Sequence, residues 1–108
     1  MARKKLETLT EQMFYVLLSL RRERHGYGIM QNTEKLSGGR LHLAAGTLYG
    51  ALTTLLERHW IEALGSEASS RKKEYKITPL GRQAVRAEMD RLRELLQNGE
   101  TITKEWEK

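Results

Sequence analysis

The chain has 108 residues, which favours a single domain with a modest core that dimerisation would help to stabilise. It lacks cysteine, its three histidines lie 17 residues apart in separate segments, and it has neither a membrane-length apolar run nor a secretory signal. We therefore expect a cytoplasmic protein with no disulfide, metal site or cofactor. The formal net charge is +5, and it is carried by residues 1–82, where 14 Lys or Arg oppose 8 Asp or Glu. A basic body suggests an anionic partner, most commonly DNA, although an ordinary soluble domain can also be basic.

A first helix is predicted at about residues 9–23. Thr8 and Glu11 have the spacing of a capping box, which marks a helix start. An apolar stripe then recurs at helical spacing, and three further apolar residues widen it. The stripe is Met13, Val16, Leu17 and Leu20, widened by Phe14, Tyr15 and Leu18. So broad an apolar face indicates burial on more than one side, which suggests contact with a second subunit. Arg21, Arg22 and Arg24 close this helix, near the negative end of its dipole.

Two further helices are predicted next, joined by a glycine-containing turn. Residues 25–28, His-Gly-Tyr-Gly, break the first helix, and a second helix follows at about 27–37. Its inward residues are Ile29, Thr33 and Leu36, and Gly38-Gly39 ends it. After a short connection, a third helix begins at Ala44. Two such helices form a helix-turn-helix motif, in which the second helix reads DNA.

The third helix has an unusual outer face. Its inner stripe is Leu48, Leu52, Leu55 and Leu56, whereas the opposite face holds Gly46, Gly50, Thr53 and Glu57, flanked by Thr47, Tyr49 and Thr54. Each glycine costs roughly 1 kcal/mol against alanine in a helix interior. One interpretation is that the backbone approaches a nucleic-acid groove, with hydroxyl groups reaching phosphates. The other is that Gly46 belongs to a loose first turn and that Gly50 fits under a neighbouring helix.

A β-hairpin is predicted after this helix. One strand spans about 60–65, a small polar loop follows, and Tyr75 and Ile77 alternate with polar residues in the return strand. The basic run Arg71-Lys72-Lys73 precedes that return strand. A hairpin with a basic tip placed directly after a helix-turn-helix is a wing, which lies over the DNA backbone or in the minor groove. Lysines at a hairpin edge also serve to prevent aggregation, which is the alternative interpretation.

The last helix is predicted at about 79–98. Thr78 and Pro79 are suited to the N-cap and first helical positions, and Asn98-Gly99 ends the helix. Its apolar residues step by four, three and four, with Leu95 beside them: Val85, Met89, Leu92 and Leu96. This heptad seam packs either on its own domain or on a partner. We expect the partner, with Ile102 and Trp106 forming a final helical turn at the dimer interface.

These elements predict a mainly α fold, a winged helix-turn-helix with a two-stranded wing, in the order α-α-α-β-β-α. Residues 1–78 form the DNA-binding part and residues 79–108 the dimerisation helix, within one compact unit. An enzyme is disfavoured because the sequence shows no nucleophile with a base, no paired carboxylates and no phosphate-binding loop.

Several short motifs in this sequence resemble the PadR family of transcriptional regulators. They are His25-Gly26-Tyr27-Gly28-Ile29, Gly46-Thr47-Leu48-Tyr49, Trp60-Ile61, Arg71 to Tyr75, and Ile77-Thr78-Pro79-Leu80-Gly81. The resemblance covers about residues 6–98, and the single last helix is similar to the shorter PadR subfamily. Two positions differ from the usual family pattern. His59 stands where glycine is common, and Leu92 stands where some drug-binding members have a tryptophan.

The resemblance implies a homodimer that assembles through its first and last helices and binds a palindromic operator, usually as a repressor. It also implies release by an effector, which in different members is a phenolic acid, a drug or another small molecule. We expect double-stranded DNA to be contacted by Tyr27, Arg40, His42, Thr47, Tyr49, Thr53, Thr54, Arg71, Lys72 and Lys73. Dimerisation is assigned to Phe14, Leu17, Val85, Met89, Leu92 and Leu96. A small hydrophobic or aromatic effector would meet Tyr15, Leu92 and Trp106. The alternative function is a winged-helix module that binds proteins and not DNA.

Overall fold

The computed structural model describes residues 8–22, 24–65 and 73–107. These residues confirm the predicted mainly α, winged helix-turn-helix fold. The helices are α1 (Glu11–Ser19), α2 (Gly26–Leu36), α3 (Ala45–Glu57) and α4 (Pro79–Thr103), and a 3₁₀ turn follows α4 at Lys104–Glu107. The strands are β1 (Arg24–His25), β2 (Ile61–Leu64) and β3 (Glu74–Ile77).

The first helix is shorter than predicted at both ends. Its N-cap is Thr10, whose side-chain oxygen accepts from the Met13 backbone N–H at 3.1 Å, so the predicted Thr8–Glu11 capping box was wrong. The helix ends at Ser19, whose hydroxyl donates to the Val16 carbonyl at 2.8 Å. The three arginines expected in its last turn therefore follow the helix. Arg24 lies in β1 and donates from Nε to the Ser19 carbonyl at 2.7 Å.

Within the described residues the wing belongs to a three-stranded antiparallel sheet, so the prediction of two strands was wrong by one. The strand order is β1-β3-β2, with Arg24 opposite Tyr75 and Ala63 opposite the same tyrosine. The extra strand β1 is two residues long, which is too short for any alternation of polar and apolar residues to reveal it. It ties the segment after α1 to the base of the wing.

Both helices of the helix-turn-helix end in Schellman motifs. After α2, the Gly39 N–H donates to the Glu34 carbonyl at 2.8 Å, and Gly38 has a φ of 66°, as the two glycines predicted. After α3, the Trp60 N–H donates to the Leu55 carbonyl at 3.1 Å, and His59 takes the left-handed position with a φ of 61°. Leu36, which was expected to face inward, is 40% exposed because α2 ends at that residue.

The start of α4 is held close to the end of α3 by a hydrogen bond and by close backbone packing. The Thr78 hydroxyl caps α4 by accepting from the Gly81 N–H at 3.0 Å, and it donates to the His59 carbonyl at 2.7 Å. A Cβ at Gly81 would lie 2.1 Å from the Trp60 carbonyl oxygen. The threonine and glycine of this motif are therefore required by a close crossing of two backbones.

The predicted end of α4 at Asn98-Gly99 was wrong, because the helix continues to Thr103. Gly99 does not take the positive φ that ends a helix, and open space surrounds the position of its missing Cβ. A glycine in a helix interior costs about 1 kcal/mol, which the good helix formers around it can offset. At 25 residues, α4 is about 37 Å long at 1.5 Å per residue.

The hydrophobic core is formed by one face of each helix together with residues of β2 and β3. Its buried apolar residues are Leu9, Met13, Val16, Leu17, Leu20, Ile29, Leu48, Leu52, Leu55, Trp60, Ile61, Tyr75 and Val85. The first turns of α4 join this core, whereas every described residue from Leu92 to Glu107 is exposed. The radius of gyration is 16.6 Å, against about 13 Å for a compact chain of this length. The second half of α4 thus projects from the domain.

One charged side chain is buried where α4 meets the N-terminal segment. Glu88 is 4% exposed, and Arg91 donates to it from Nε at 2.9 Å and from a terminal nitrogen at 2.5 Å. The Arg91 hydrogen bonds hold the pKa of Glu88 below its ordinary value, helped by the Leu9 backbone N–H and opposed by burial. No pattern in the sequence predicts this contact, because Glu88 lies beside the heptad seam.

Candidate nucleic-acid interface

The outer face of α3 is open along its length. Leu48, Leu52 and Leu55 pack the other side of the helix into the core. A Cβ built at Gly46 or Gly50 would meet nothing within 4 Å, so neither glycine makes room for another part of the described protein. The interpretation that Gly50 fits under a neighbouring helix was therefore wrong. The two glycines leave bare backbone on an exposed helix surface.

The threonines of α3 present methyl groups and oxygen acceptors on this surface. The Thr53 hydroxyl donates to the Tyr49 carbonyl at 2.9 Å, and the Thr54 hydroxyl donates to the Gly50 carbonyl at 3.3 Å. Each hydroxyl hydrogen is thus engaged within the helix, which leaves the oxygen lone pairs and the methyl group available. Thr47 is exposed in the first turn of α3, where free backbone N–H groups favour an anion.

Two tyrosines border the same face. Tyr27 on α2 is 68% exposed, and Tyr49 on α3 is 42% exposed. The Tyr49 hydroxyl oxygen would lie 2.6 Å from a Cβ at Gly26, so its ring packs against this glycine at the start of α2. Burial, and then the neighbouring Tyr49, raise the pKa of Tyr75 above its ordinary value. Tyr75 therefore stays neutral, and it is buried in the core on β3.

Gly26 is a site residue that the sequence analysis did not assign, because it treated the glycine only as a helix breaker. In the structure Gly26 is buried, and any larger residue would displace the Tyr49 ring. The sequence feature that could have identified Gly26 is its place at the start of a helix, next to Tyr27. A glycine in such a position often marks a close approach of another group to the backbone.

The two basic residues expected between α2 and α3 are already paired with carboxylates. Arg40 forms an ion pair with Glu11 at the start of α1. The Nδ1 atom of His42 lies 2.9 Å from a carboxylate oxygen of Glu34. Both pairs are exposed, so they are weakly held and can exchange partners. Neither carboxylate partner is evident from the sequence, because the pairs join residues that are far apart in the chain or lie across a turn.

The basic run of the wing is described only at its end. Arg71 and Lys72 lie outside the described residues, and Lys73 is half-buried immediately before β3. Behind it, Lys76 and Glu62 form an ion pair of 3.4 Å across the two strands.

The structure thus brings Tyr27, Thr47, Tyr49, Thr53 and Thr54 to neighbouring parts of one helix-turn-helix surface, with Arg40 and His42 at its turn.

The residues assigned to dimerisation fall into two groups. Leu17 and Val85 are buried in the protomer's own core, and Phe14 is half-buried against it. The remaining three residues of the assignment, Met89, Leu92 and Leu96, are exposed on α4. Exposed Leu95 and Ile102 on α4 and Trp106 in the 3₁₀ turn extend that row, so the second half of α4 and the turn after it carry an exposed apolar stripe, interrupted at residues 97–101.

The residues assigned to an effector pocket are not brought together within one protomer. Trp106 lies fourteen positions after Leu92, across the end of α4 and the 3₁₀ turn, which is more than about 20 Å at the rise of these helices. Tyr15 lies on α1, with its ring edge-to-face against Phe14 at 6.1 Å between centroids. A pocket lined by Tyr15, Leu92 and Trp106 would therefore have to lie between two protomers.

Neither a membrane-spanning helix nor a metal-binding cluster is found among the described residues. No helix among the described residues is long and apolar enough to cross a membrane. In the same part of the chain, no cluster of three or more histidine, aspartate or glutamate side chains is arranged to bind a metal ion.

Comparisons with known proteins agree with this fold. No curated protein sequence matches the chain significantly. RosR from H. salinarum superposes with a TM-score of 0.67 at 25% identity, covering 94% of this chain and 96% of that one. A PadR family transcriptional regulator from Eggerthella lenta gives 0.68 at 21% identity, with 83% and 79% covered. The DNA-binding protein BpsR from Bordetella bronchiseptica, regulated by 6-hydroxynicotinic acid, gives 0.65 at 22% identity, with 84% and 64% covered.

The family assignment comes from the sequence itself. A model of the transcriptional regulator PadR-like family matches residues 15–87, from the middle of α1 to the first half of α4. This range contains the whole helix-turn-helix and the wing. Because it is well over half of the chain, the chain belongs to the PadR-like family of transcriptional regulators.

Proposed function

We propose that this regulator is a homodimer that binds a specific double-stranded DNA operator and represses transcription until a small molecule releases it. The observation that carries the proposal is the open outer face of α3, where Gly46 and Gly50 expose backbone on the second helix of a helix-turn-helix. Such a helix is placed to enter the major groove. Gly50 lies in the interior of α3, where glycine is a stability cost that close approach to DNA would explain, and Gly46 adds bare backbone in the first turn.

Sequence recognition would depend on weak and distributed contacts. The α3 face carries no arginine, asparagine or glutamine, which make the common bidentate contacts with bases. Its methyl groups, on Thr47, Thr53 and Thr54, suit the methyl group of thymine, and its oxygen atoms accept from base amino groups or water. We therefore expect the shape and deformability of the operator to contribute much of the specificity.

Phosphate contacts would come from the edges of this face. Tyr27 and Tyr49 are exposed tyrosines whose hydroxyl groups would bind phosphates, and Arg40 and His42 would exchange their surface carboxylate partners for phosphates. Arg71, Lys72 and Lys73 of the wing would add positive charge over the backbone. Each neutralised phosphate lowers the logarithm of affinity by about 0.9 per tenfold rise in salt concentration.

A homodimer would cover the apolar stripe at the end of α4. Exposed Met89, Leu92 and Leu96 belong to that stripe, whereas Leu17 and Val85 would support it from within the core. Two-fold symmetry would place the two α3 helices roughly 34–36 Å apart, one turn of DNA, which requires a palindromic operator. An effector bound between the protomers would alter this spacing, and BpsR supplies the precedent of a structural relative that a small aromatic acid regulates.

The test is a gel shift with DNA from immediately upstream of the protein's own gene, titrated in salt and against competitor DNA. We expect a specific complex whose affinity falls steeply with salt. Retention that is no stronger than for competitor DNA, or that hardly changes between low and moderate salt, would contradict the proposal. A retained specific complex would also supply the assay in which small aromatic acids are screened as effectors.

A further inference from the structure

We propose that two carboxylates of this chain, Glu11 and Glu34, compete with DNA phosphates for Arg40 and His42 and thereby limit the affinity of the protein for DNA. The role assigned to these carboxylates rests on the DNA binding of the proposed function. Both are positioning residues, because each acts through the basic side chain that it holds.

The turn between α2 and α3 presents its two basic residues on a fixed backbone. The Ser37 hydroxyl donates to the Glu34 carbonyl at 3.0 Å and accepts from the Leu41 N–H at 2.9 Å. These two hydrogen bonds tie the turn to the last turn of α2. Arg40 and His42 can therefore change partners by rotation of their side chains, without movement of the backbone.

Each of these basic side chains is held by a carboxylate from a neighbouring helix. Arg40 forms an ion pair with Glu11 in the first turn of α1, and the Nδ1 atom of His42 lies 2.9 Å from a carboxylate oxygen of Glu34 on α2. The side chains of Arg40 and His42 are 62% and 67% exposed, so water and salt reach both pairs. A phosphate oxygen is an anionic acceptor like a carboxylate oxygen, so both groups seek the same donors.

Glu34 lies on the face of α2 that is proposed to meet DNA. It is the single acidic residue of the sequence between positions 26 and 56. Tyr27, Gln31 and Glu34 recur at i, i+4 and i+7, so they share one face of the helix. Together with His42 they line an open cleft of about 530 Å³. A phosphate that enters this cleft beside Tyr27 therefore finds His42 already engaged by the Glu34 carboxylate.

Removal of either carboxylate should tighten DNA binding. An exposed ion pair changes an equilibrium constant by a factor of about five or less, so we expect Glu11→Gln and Glu34→Gln each to raise the affinity about two- to fivefold. The double variant should gain about tenfold, measured by fluorescence anisotropy with DNA from upstream of the protein's own gene. Each freed basic side chain adds a phosphate contact, so the slope of log affinity against log salt concentration should steepen by up to about 0.9.

Asp90→Asn is the matched control for the change in net charge. It removes the carboxylate of another exposed ion pair, on α4, where Asp90 lies 2.9 Å from Arg93. We expect this variant to keep the DNA affinity and the salt dependence of the natural chain. Equal tightening by Asp90→Asn would show that only the net charge matters and would contradict the proposal.

Double-mutant cycles test whether the carboxylates act through their basic partners. Glu11→Gln should have little effect on DNA affinity in an Arg40→Gln background, and Glu34→Gln little effect in a His42→Gln background. Undiminished effects in these backgrounds would overturn the proposal. Weaker DNA binding by Glu11→Gln or Glu34→Gln alone would also overturn it, because the carboxylate would then prepare its partner for DNA and not compete with it.

Retention on heparin separates this competition from the proposed function. Heparin is a sulfated polyanion without a base sequence, so basic side chains that are freed should bind its sulfate groups. Glu11→Gln combined with Glu34→Gln should elute at a higher salt concentration than Asp90→Asn combined with Glu94→Gln, which has the same net charge. Equal elution of the two double variants would refute the competition whatever the operator result. Lack of a specific complex with the upstream DNA would refute the proposed function alone.

Discussion

At the scale of single residues, the helical glycines Gly81 and Gly50 differ in whether a neighbouring group requires glycine. Gly81 is required, because the Trp60 carbonyl oxygen occupies the space of its missing side chain. Gly50 is not required in this way, because open space lies beyond it. The distinction gives each glycine a different expected role, one in folding and one in function.

Replacing the two glycines by alanine should therefore change the stability in opposite directions. We expect Gly81→Ala to lower the free energy of unfolding by about 2–4 kcal/mol, since a Cβ there would overlap backbone atoms that cannot move easily. Gly50→Ala is the matched control and should raise the free energy of unfolding by up to about 1 kcal/mol. Urea unfolding monitored by circular dichroism measures both changes. Equal effects of the two substitutions would contradict this account of Gly81.

The buried carboxylate Glu88 should make stability depend on acidity. Because Arg91 and the Leu9 N–H lower its pKa in the folded state, Glu88 stabilises the fold above its ordinary pKa. That contribution is lost as the pH falls through the lowered pKa. We expect Glu88→Gln to reduce stability at neutral pH and to flatten the decline of stability in acid, measured by urea unfolding from pH 7 to pH 3.

The exposed Glu94 on the same helix provides the control for this pH dependence. Glu94→Gln should leave both the stability at neutral pH and its decline in acid close to those of the natural chain. A Glu88→Gln variant whose stability declines in acid as steeply as that of the natural chain would show that another group dominates the pH dependence of stability.

At the scale of elements, the junction between α3 and α4 fixes the proposed reading helix relative to the proposed dimerisation helix. The Thr78 hydroxyl serves both helices, since it caps α4 and donates to the carbonyl of His59 beyond the end of α3. We expect Thr78→Ala to cost about 1–2 kcal/mol of unfolding free energy. Thr101→Ala, which removes only an exposed hydrogen bond within α4, should change stability by less than about 0.5 kcal/mol. Similar losses from both substitutions would argue against the double role of Thr78.

The elements also show how far the sequence could predict the fold. Long periodic stretches such as the leucine stripe of α3 were recognised, because burial of one helix face leaves a clear spacing. The short strand β1 and the continuation of α4 through Gly99 were missed, because pairing with β3 and local helix stability decided them. The ion pairs of Arg40 and His42 were also missed, since single-sequence patterns do not show tertiary contacts.

At the scale of the whole molecule, the projecting half of α4 is difficult to reconcile with a stable monomer. Its exposed row of apolar side chains would be covered in a dimer.

We expect Leu92→Glu combined with Leu96→Glu to produce a folded monomer, because neither leucine belongs to the protomer's core. Sedimentation measures the association state and circular dichroism the fold. Gln97→Glu, at an exposed neighbouring position, should remain dimeric, and a dimeric double variant would contradict the proposed interface.

The central claim is that the open face of α3 contacts DNA, and the most direct measurement is the operator affinity of Gly50→Leu. Leucine is a good helix former and meets no neighbour at this position, so the variant should fold and dimerise normally. Its added bulk should weaken specific binding at least about tenfold, or about 1.4 kcal/mol, with Gly50→Ala intermediate. Ala87→Leu, which adds bulk at an exposed position of α4, should bind as the natural chain does. Undiminished affinity of a folded, dimeric Gly50→Leu variant would show that α3 does not enter the groove.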